Sequence, residues 1–264
     1  MLFVHGLGGD CRNWEFQVEE FAEKYRLFIP DLRGHGKSEA PKSGYSLNSF
    51  VDDIVQFLKE HGLSKCHYVG LSMGGMIGQL LAIKHGEMLE SLTLVDTAPT
   101  PGLLNRAGYE DALKMFEQSA KIAEKQGRKP LADVTIKMMF SAEFIENNPQ
   151  VVKKVKKLII EGPHEGYVNA IRNIVLTDLD LYPHLYKIET PTLIVVGSKD
   201  VITPPAMSQK IHEAIKGSEM VVIEGSGHVS NIEKYEKFNL ILKNFLRKID
   251  TKRYCAPIVA RRYL

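Results

Sequence analysis

The chain has 264 residues, 44% hydrophobic and 25% charged, the balance of a globular protein long enough to bury a large core and not of a disordered or fibrous one. Its 34 basic and 32 acidic residues leave a formal net charge of +2, which argues against nucleic acid or an anionic membrane as the main partner. Cys11, Cys66 and Cys255 are widely spaced with no CxxC, so they read as free thiols of a reducing, cytoplasmic compartment, not as a disulfide framework or zinc site. No apolar run approaches the roughly 20 residues of a membrane span. Met1-Leu2-Phe3-Val4 runs straight into a His-Gly pair, without the basic segment or cleavage site of a signal peptide.

In chain order, Met1 to Val4 is a short apolar run that stops at His5-Gly6-Leu7-Gly8-Gly9, the pattern of a buried strand entering a glycine loop. Asn13 to Glu23 reads as a helix, with Trp14, Phe16, Val18 and Phe21 as its apolar members. Tyr25 to Pro30 reads as a strand, followed by the polar loop Asp31-Leu32-Arg33-Gly34-His35-Gly36-Lys37-Ser38. Ser46 or Asn48 caps a helix ending about Glu60, with Phe50, Ile54, Phe57 and Leu58 on one face. A second apolar strand meets Gly70-Leu71-Ser72-Met73-Gly74, and an apolar, glycine-spaced helix follows it. Ser91 to Val95 is a further strand, ending at Asp96.

From Ala98 to about Tyr186 strand signals vanish. Four helical stretches are predicted there, near 109–125, 130–140, 149–160 and 165–176. Alternation then resumes: a strand at Thr192–Val196, a helix at Pro204–Ile215, a strand at Glu219–Ile223 and a closing helix at Ile232–Lys248. Strands alternating with helices imply an α/β fold with a mostly parallel sheet covered on both faces. Residues 1–97 and 187–250 form the expected core, 98–186 an inserted all-helical cap, and 251–264 a C-terminal tail with no assigned role.

The Gly-x-Ser-x-Gly between a strand and a helix is a nucleophile-elbow pattern, a turn so tight that the serine adopts strained backbone geometry. Ser72 needs a base, and the base needs an orienting carboxylate. In a parallel sheet such groups collect at the carboxyl ends of strands. Asp200 follows the strand ending at Val196, and His228 follows the strand ending at Ile223. Ser72, Asp200 and His228 therefore form the expected catalytic set, in the order tied to this elbow. Asp96 is the rival acid, since it too ends a strand. His67, inside the elbow strand, reads as structural, and His35 as a loop hydrogen-bonding residue. The oxyanion donors are expected to be the backbone N–H groups of Met73 and, from the first glycine loop, Leu7. That loop has no Gly-Lys-Ser/Thr and no dinucleotide fingerprint, which excludes a phosphate loop.

These residues together resemble the α/β-hydrolase superfamily, over nearly the whole chain. His5-Gly6-Leu7-Gly8-Gly9 with Trp14 is similar to its oxyanion loop, Asp31-x-Arg33-Gly34-His35-Gly36-x-Ser38 to its neighbouring loop, and Gly70-Leu71-Ser72-Met73-Gly74-Gly75 to its elbow. Gly197-x-x-Asp200 and Gly227-His228 with Glu233 are similar to its acid and histidine loops. A serine nucleophile excludes the aspartate-dependent branches, and the resemblance is closest to the capped carboxylesterase and 3-oxoadipate enol-lactonase group. It implies a serine esterase cleaving esters of small acyl groups through an acyl-enzyme, with no metal and no cofactor. The implied partner is a small-molecule ester or lactone, and monomer and dimer are both compatible. Lactone hydrolysis, cofactor-free perhydrolysis and carbon–carbon bond hydrolysis are the alternatives within the fold, and a small-ligand receptor is the non-enzymatic one.

The family usually carries two strands before the His-Gly strand. Here they are missing, so a truncated or smaller core is expected, with Tyr25–Ile29 at a sheet edge. The pocket is expected to be lined by Trp14, Met138, Met139, Phe140 and Val229, with Met73 beside them, an apolar set suited to small uncharged acyl groups. A dicarboxylic lactone would need a cation, for which Arg172 and Arg106 are the candidates.

Overall fold

The computed structural model describes residues 1–99, 106–175 and 180–254. Five strands form one sheet in the order β1-β2-β3-β4-β5: β1 Leu2–Val4, β2 Cys66–Leu71, β3 Leu89–Val95, β4 Thr192–Gly197 and β5 Glu219–Ile223. Every neighbouring pair is parallel. The strand side chains alternate between two cores. Leu2, Val4, Tyr68, Leu92, Leu94 and Ile194 pack with Phe50, Ile54 and Leu58 on one face. Phe3, Val69, Leu71, Val95, Leu193 and Val195 pack with Trp14, Phe21, Phe238 and Leu242 on the other. A parallel sheet covered on both faces is rich in apolar residues, as β1, β2 and β4 are, whereas the edge strand β5 is only partly buried.

The expected strand at Tyr25–Pro30 is reduced to a single parallel bridge between Leu2 and Phe28, held by Phe3 N–H to Phe28 O and Phe28 N–H to Met1 O, both 2.9 Å. It does lie at the sheet edge. Its neighbour β1 is only three residues long, and Pro30 has no N–H to extend the pairing.

Helix α1 (Glu15–Phe21) is shorter than expected because its first turn, Cys11–Trp14, is a 3-10 helix capped by Asp10. Helix α2 (Leu47–Glu60) starts at the cap Ser46, whose side chain accepts from Ser49 N–H, as the sequence suggests. Helix α3 (Met73–His85) follows β2 directly and is buried over its first ten residues.

Between β3 and β4 the described residues form α4 (Arg106–Gln126), α5 (Ala132–Met139), α6 (Ala142–Asn147), α7 (Pro149–Glu161) and α8 (His164–Ala170). A π-helical turn, Ile171–Val175, extends α8. Helix α6, capped by Ser141, is an addition to the four expected helices; six residues are too few to show a helical period. After β4 come α9 (Pro205–Ala214), the short α10 (Ser230–Glu233) and α11 (Tyr235–Tyr254). The tail from Cys255 lies outside the described residues.

Candidate active site

Ser72 lies between β2 and α3 with φ 52 and ψ −114, a left-handed conformation that costs an ordinary residue about 1–3 kcal/mol. Its neighbours explain the glycines. A Cβ on Gly70 would lie 2.3 Å from Gly74 O, and one on Gly74 would lie 2.3 Å from Val4 O. The turn is held by Ser72 N–H to Val95 O at 2.8 Å, by Thr97 Oγ1 to Ser72 O at 2.7 Å and by Tyr68 Oη to Gly74 O at 2.7 Å.

Three side chains remote in sequence meet here. Ser72 Oγ donates to His228 Nε2 at 3.0 Å, and His228 Nδ1–H donates to Asp200 Oδ2 at 2.9 Å. Asp200 is buried and accepts further bonds from the N–H groups of Ile202 and Thr203, both at 2.9 Å, and from Thr203 Oγ1 at 2.7 Å. Burial alone would push the Asp200 carboxyl up, but His228, its hydrogen bond and the Thr203 donors together hold it below its ordinary value. Burial alone would likewise depress His228, but the adjacent Asp200 carboxylate outweighs it and raises the imidazole above its ordinary value. Both shifts favour an imidazolium–carboxylate pair.

Asp96, the rival acid, makes no bond to the imidazole among the described residues. Its carboxylate instead accepts from Gly197 N–H at 2.9 Å and from Ser230 N–H and Oγ at 2.8 and 2.7 Å, tying the end of β3 to β4 and to the histidine loop. Burial, and then the nearby Asp200, push it up to about 8. His67 Nδ1 pairs with Ser91 Oγ at 2.9 Å inside the sheet. His35 Nδ1–H donates to Arg33 O at 2.9 Å, a loop role as expected.

The glycine loop after β1 passes against the serine: a Cβ on Gly6 would lie 3.1 Å from Ser72 Cβ. His5 shapes this loop. Its Nδ1–H donates to Gly6 O at 2.8 Å and its Nε2 accepts from Leu32 N–H at 3.0 Å. Leu7 lines the cavity together with Ser72 and His228, and Met73 begins α3, whose N-terminal N–H groups face the same end of the sheet.

The cavity has a volume of about 130 Å³, and Met138, Met139 and Val229 are among its lining residues as expected. Trp14 and Phe140 are not. Trp14 is completely buried against Phe3, with ring centroids 4.9 Å apart, and Phe140 stacks on Phe144 at 4.9 Å. Both belong to the core between the sheet and its helices. Met73 is also buried in the core. Phe116, Leu131, Val155, Leu158, Ile159 and Tyr167 supply apolar wall that the sequence reading did not single out.

The cation on the wall is Arg128. It is 6% exposed, its Nη2–H donates to Gly8 O at 2.6 Å, and its guanidinium lies 4.9 Å from the Tyr167 ring centroid. Arg172, proposed from sequence, is exposed and paired with Glu124 at 2.9 Å, and the side chain of Arg106 lies outside the described residues. Among the described residues a cluster of possible metal ligands, Asp10, Cys11 and Asp31, lies apart from this cavity. Its carboxylates are already taken by Arg12 and by the N–H groups of Cys11 and Lys37. No described helix is long and apolar enough to cross a membrane.

Comparison with known proteins supplies the frame for this geometry. Residues 1–235 match the family model described as alpha/beta hydrolase fold. The chain is 30% identical over 250 residues to 3-oxoadipate enol-lactonase 1 of Acinetobacter baylyi, covering 95% of this chain and 89% of that protein. The enol-lactonase from Burkholderia xenovorans LB400 superposes with a TM-score of 0.84 at 28% identity, over 93% of this chain and 90% of that one. A thermophilic esterase from Thermogutta terrifontis, solved with malate bound, gives 0.86 at 29% identity, over 94% and 89%. With the family model spanning most of its length and enol-lactonases among its relatives, the chain belongs to the α/β-hydrolase family and is a hydrolase.

Proposed function

We propose that the chain is a serine hydrolase of carboxylic esters and lactones, with Ser72 as nucleophile, His228 as general base and acid, and Asp200 as the carboxylate that orients His228. The observation that carries this reading is the continuous chain Ser72 Oγ–His228–Asp200, at 3.0 and 2.9 Å, with the serine held at φ 52. In the first half-reaction Ser72 Oγ attacks the carbonyl carbon while its proton passes to His228 Nε2. The N–H groups of Leu7 and Met73 receive the oxyanion. The carbon–oxygen bond to the leaving group then breaks, and His228 returns the proton to the departing alkoxide. Water, deprotonated by the same imidazole, cleaves the Ser72 ester and frees the acid. Residues 98–186 act as a cap over this site, on the ground that α4, α5, α7 and α8 each contribute to the cavity wall.

The lactone reading has its own support in the 30% identical relative named an enol-lactonase; there the leaving alkoxide stays attached to the acyl group, and the product is a hydroxy or oxo acid. A cytoplasmic location is part of the same proposal, on the ground that Cys11 and Cys66 are unpaired thiols.

A fluorophosphonate probe tests the nucleophile. Mass spectrometry is expected to find one adduct, on Ser72, and none in Ser72→Ala. Ser72→Ala is also expected to lose at least about 10³-fold in kcat on 4-nitrophenyl acetate. An adduct elsewhere, or full turnover by that variant, would overturn the assignment.

A further inference from the structure

Among the described residues Arg128 is the one strongly buried cation on the cavity wall, and they offer it no counter-ion. Taking a guanidinium out of water costs several kcal/mol unless a negative charge replaces the lost hydration. Here burial is the largest influence on the group, depressing it to about 10. Asp10 is the acid that acts on it, but that carboxylate is already bound by Arg12, through Nε at 3.1 Å and Nη2 at 2.6 Å. Arg128 has five N–H donors, of which Nη2 serves the Gly8 carbonyl. The Tyr167 ring covers one face of the guanidinium at 4.9 Å. If holding Gly8 O were its only task, a neutral amide would do it without the cost of a buried charge.

We propose that this site takes acyl groups that carry a second carboxylate, and that Arg128 receives that carboxylate while Ser72 attacks the ester or lactone carbonyl. The inference rests on the serine-hydrolase reading for the reacting bond, but the anion site itself stands on Arg128 alone. Its reach follows from the loop. Gly6 packs against Ser72 and Gly8, two residues on, touches Arg128, so the serine and the cation flank one short glycine turn, closed by Gly9 N–H to Gly6 O at 3.1 Å, and both line the same cavity. That placement suits a short acyl chain ending in a carboxylate, as in half-esters of small dicarboxylic acids. Hydrolysis of such a half-ester consumes one water and yields the dicarboxylate, the alcohol and one proton. Met138, Met139, Leu158 and Val229 give the wall an apolar stretch, and among the described residues Arg128 is its one permanently charged group.

The test compares mono(4-nitrophenyl) succinate with its methyl ester, which removes the charge and adds one methyl group. The wild-type chain is expected to prefer the free acid by about tenfold or more in kcat/KM, chiefly through KM. Arg128→Gln and Arg128→Met are expected to reduce that ratio to within about threefold of one, while Arg128→Lys keeps part of it. A wild-type ratio near or below one would overturn the proposal, and so would a ratio that survives Arg128→Met. Thermal melting of Ser72→Ala with succinate as ligand provides a readout that needs no turnover. A rise in Tm that is absent when Arg128→Met is added supports the anion site even if no ester is hydrolysed, in which case only the hydrolase reading fails. Turnover of neutral esters with no succinate effect on melting would sink the anion site alone.

Discussion

The main-chain N–H of His228 donates to the carbonyl of Met139 at 2.8 Å. The loop that carries the proposed base is therefore hydrogen-bonded to the last turn of α5, in the helical block between β3 and β4. Glu233 reinforces the same junction. Its buried carboxylate accepts from Gly227 N–H at 2.9 Å, from Ser141 N–H at 3.2 Å and from Ser141 Oγ.

Glu233→Ala is expected to leave those three donors without their acceptor. At about 1–3 kcal/mol for each buried donor stranded, the loss is roughly 3 kcal/mol or more. For a chain of this size that corresponds to a fall of roughly 6–12 °C in Tm, and Glu233→Gln should recover part of it. Scanning calorimetry would contradict this if Glu233→Ala melted within about 2 °C of the wild type.

The pH profile follows from His228. The base must be neutral to accept the Ser72 proton, so kcat/KM falls as pH drops through its pKa. That pKa is raised, burial being outweighed by Asp200, so the acid limb should have its midpoint above the ordinary value of about 6.5. Asp200→Asn removes the main raising influence and leaves burial, the largest influence on the group, opposed by the weaker pull of Asp96, so the midpoint should fall below about 6.5, while kcat drops on the order of 10⁴-fold. The linked stability effect has the opposite sense: a raised folded-state pKa stabilises the fold below the unfolded value and loses that contribution as pH rises through the folded one. Profiles of both chains on a neutral ester check the midpoints, and an unmoved midpoint in Asp200→Asn would refute the stated cause.

Gly34 and Gly166 form a second junction between the core and the helical block. A Cβ on Gly166 would lie 1.7 Å from Gly34 O, and Gly34 itself has φ +72. Gly166→Ala must therefore push α8 off the loop, and with it Tyr167 and the Arg128 site. We expect a loss of about 1–3 kcal/mol together with a reduced kcat/KM. Gly62→Ala, at φ +67 with open space around it, is the control; it should cost about 1 kcal/mol and leave activity as it was. Urea titrations and initial rates on the pair separate crowding from backbone preference.

The parallel α/β layout and the meeting of Ser72, Asp200 and His228 were legible because each of the three sits where an apolar run stops at a glycine turn. Pairing is a tertiary property, and there the reading went less far. Asp96 and Asp200 both end strands, and only the fold turns one toward His228 and the other toward Ser230. Trp14 looks the same in sequence whether it faces a substrate or Phe3. Arg128 had no signal at all: Gly127-Arg128-Lys129 reads as a solvated basic turn. It becomes a buried cation only because α8 and the glycine loop close around it. In the structure Gly127, at φ +72, turns the chain immediately before it.

The backbone of Ser72 has a consequence for any attempt to make this protein hardier. At φ 52 it holds a conformation that glycine adopts freely and other residues resist. Ser72→Gly should therefore melt higher than the wild type while losing its nucleophile. A library screened for heat resistance alone would drift toward glycine at this position, and a screen for rate would hold serine there against that pull. Thermal tolerance and turnover make opposing demands on a single side chain, so improvement in one has to be sought at positions away from the elbow.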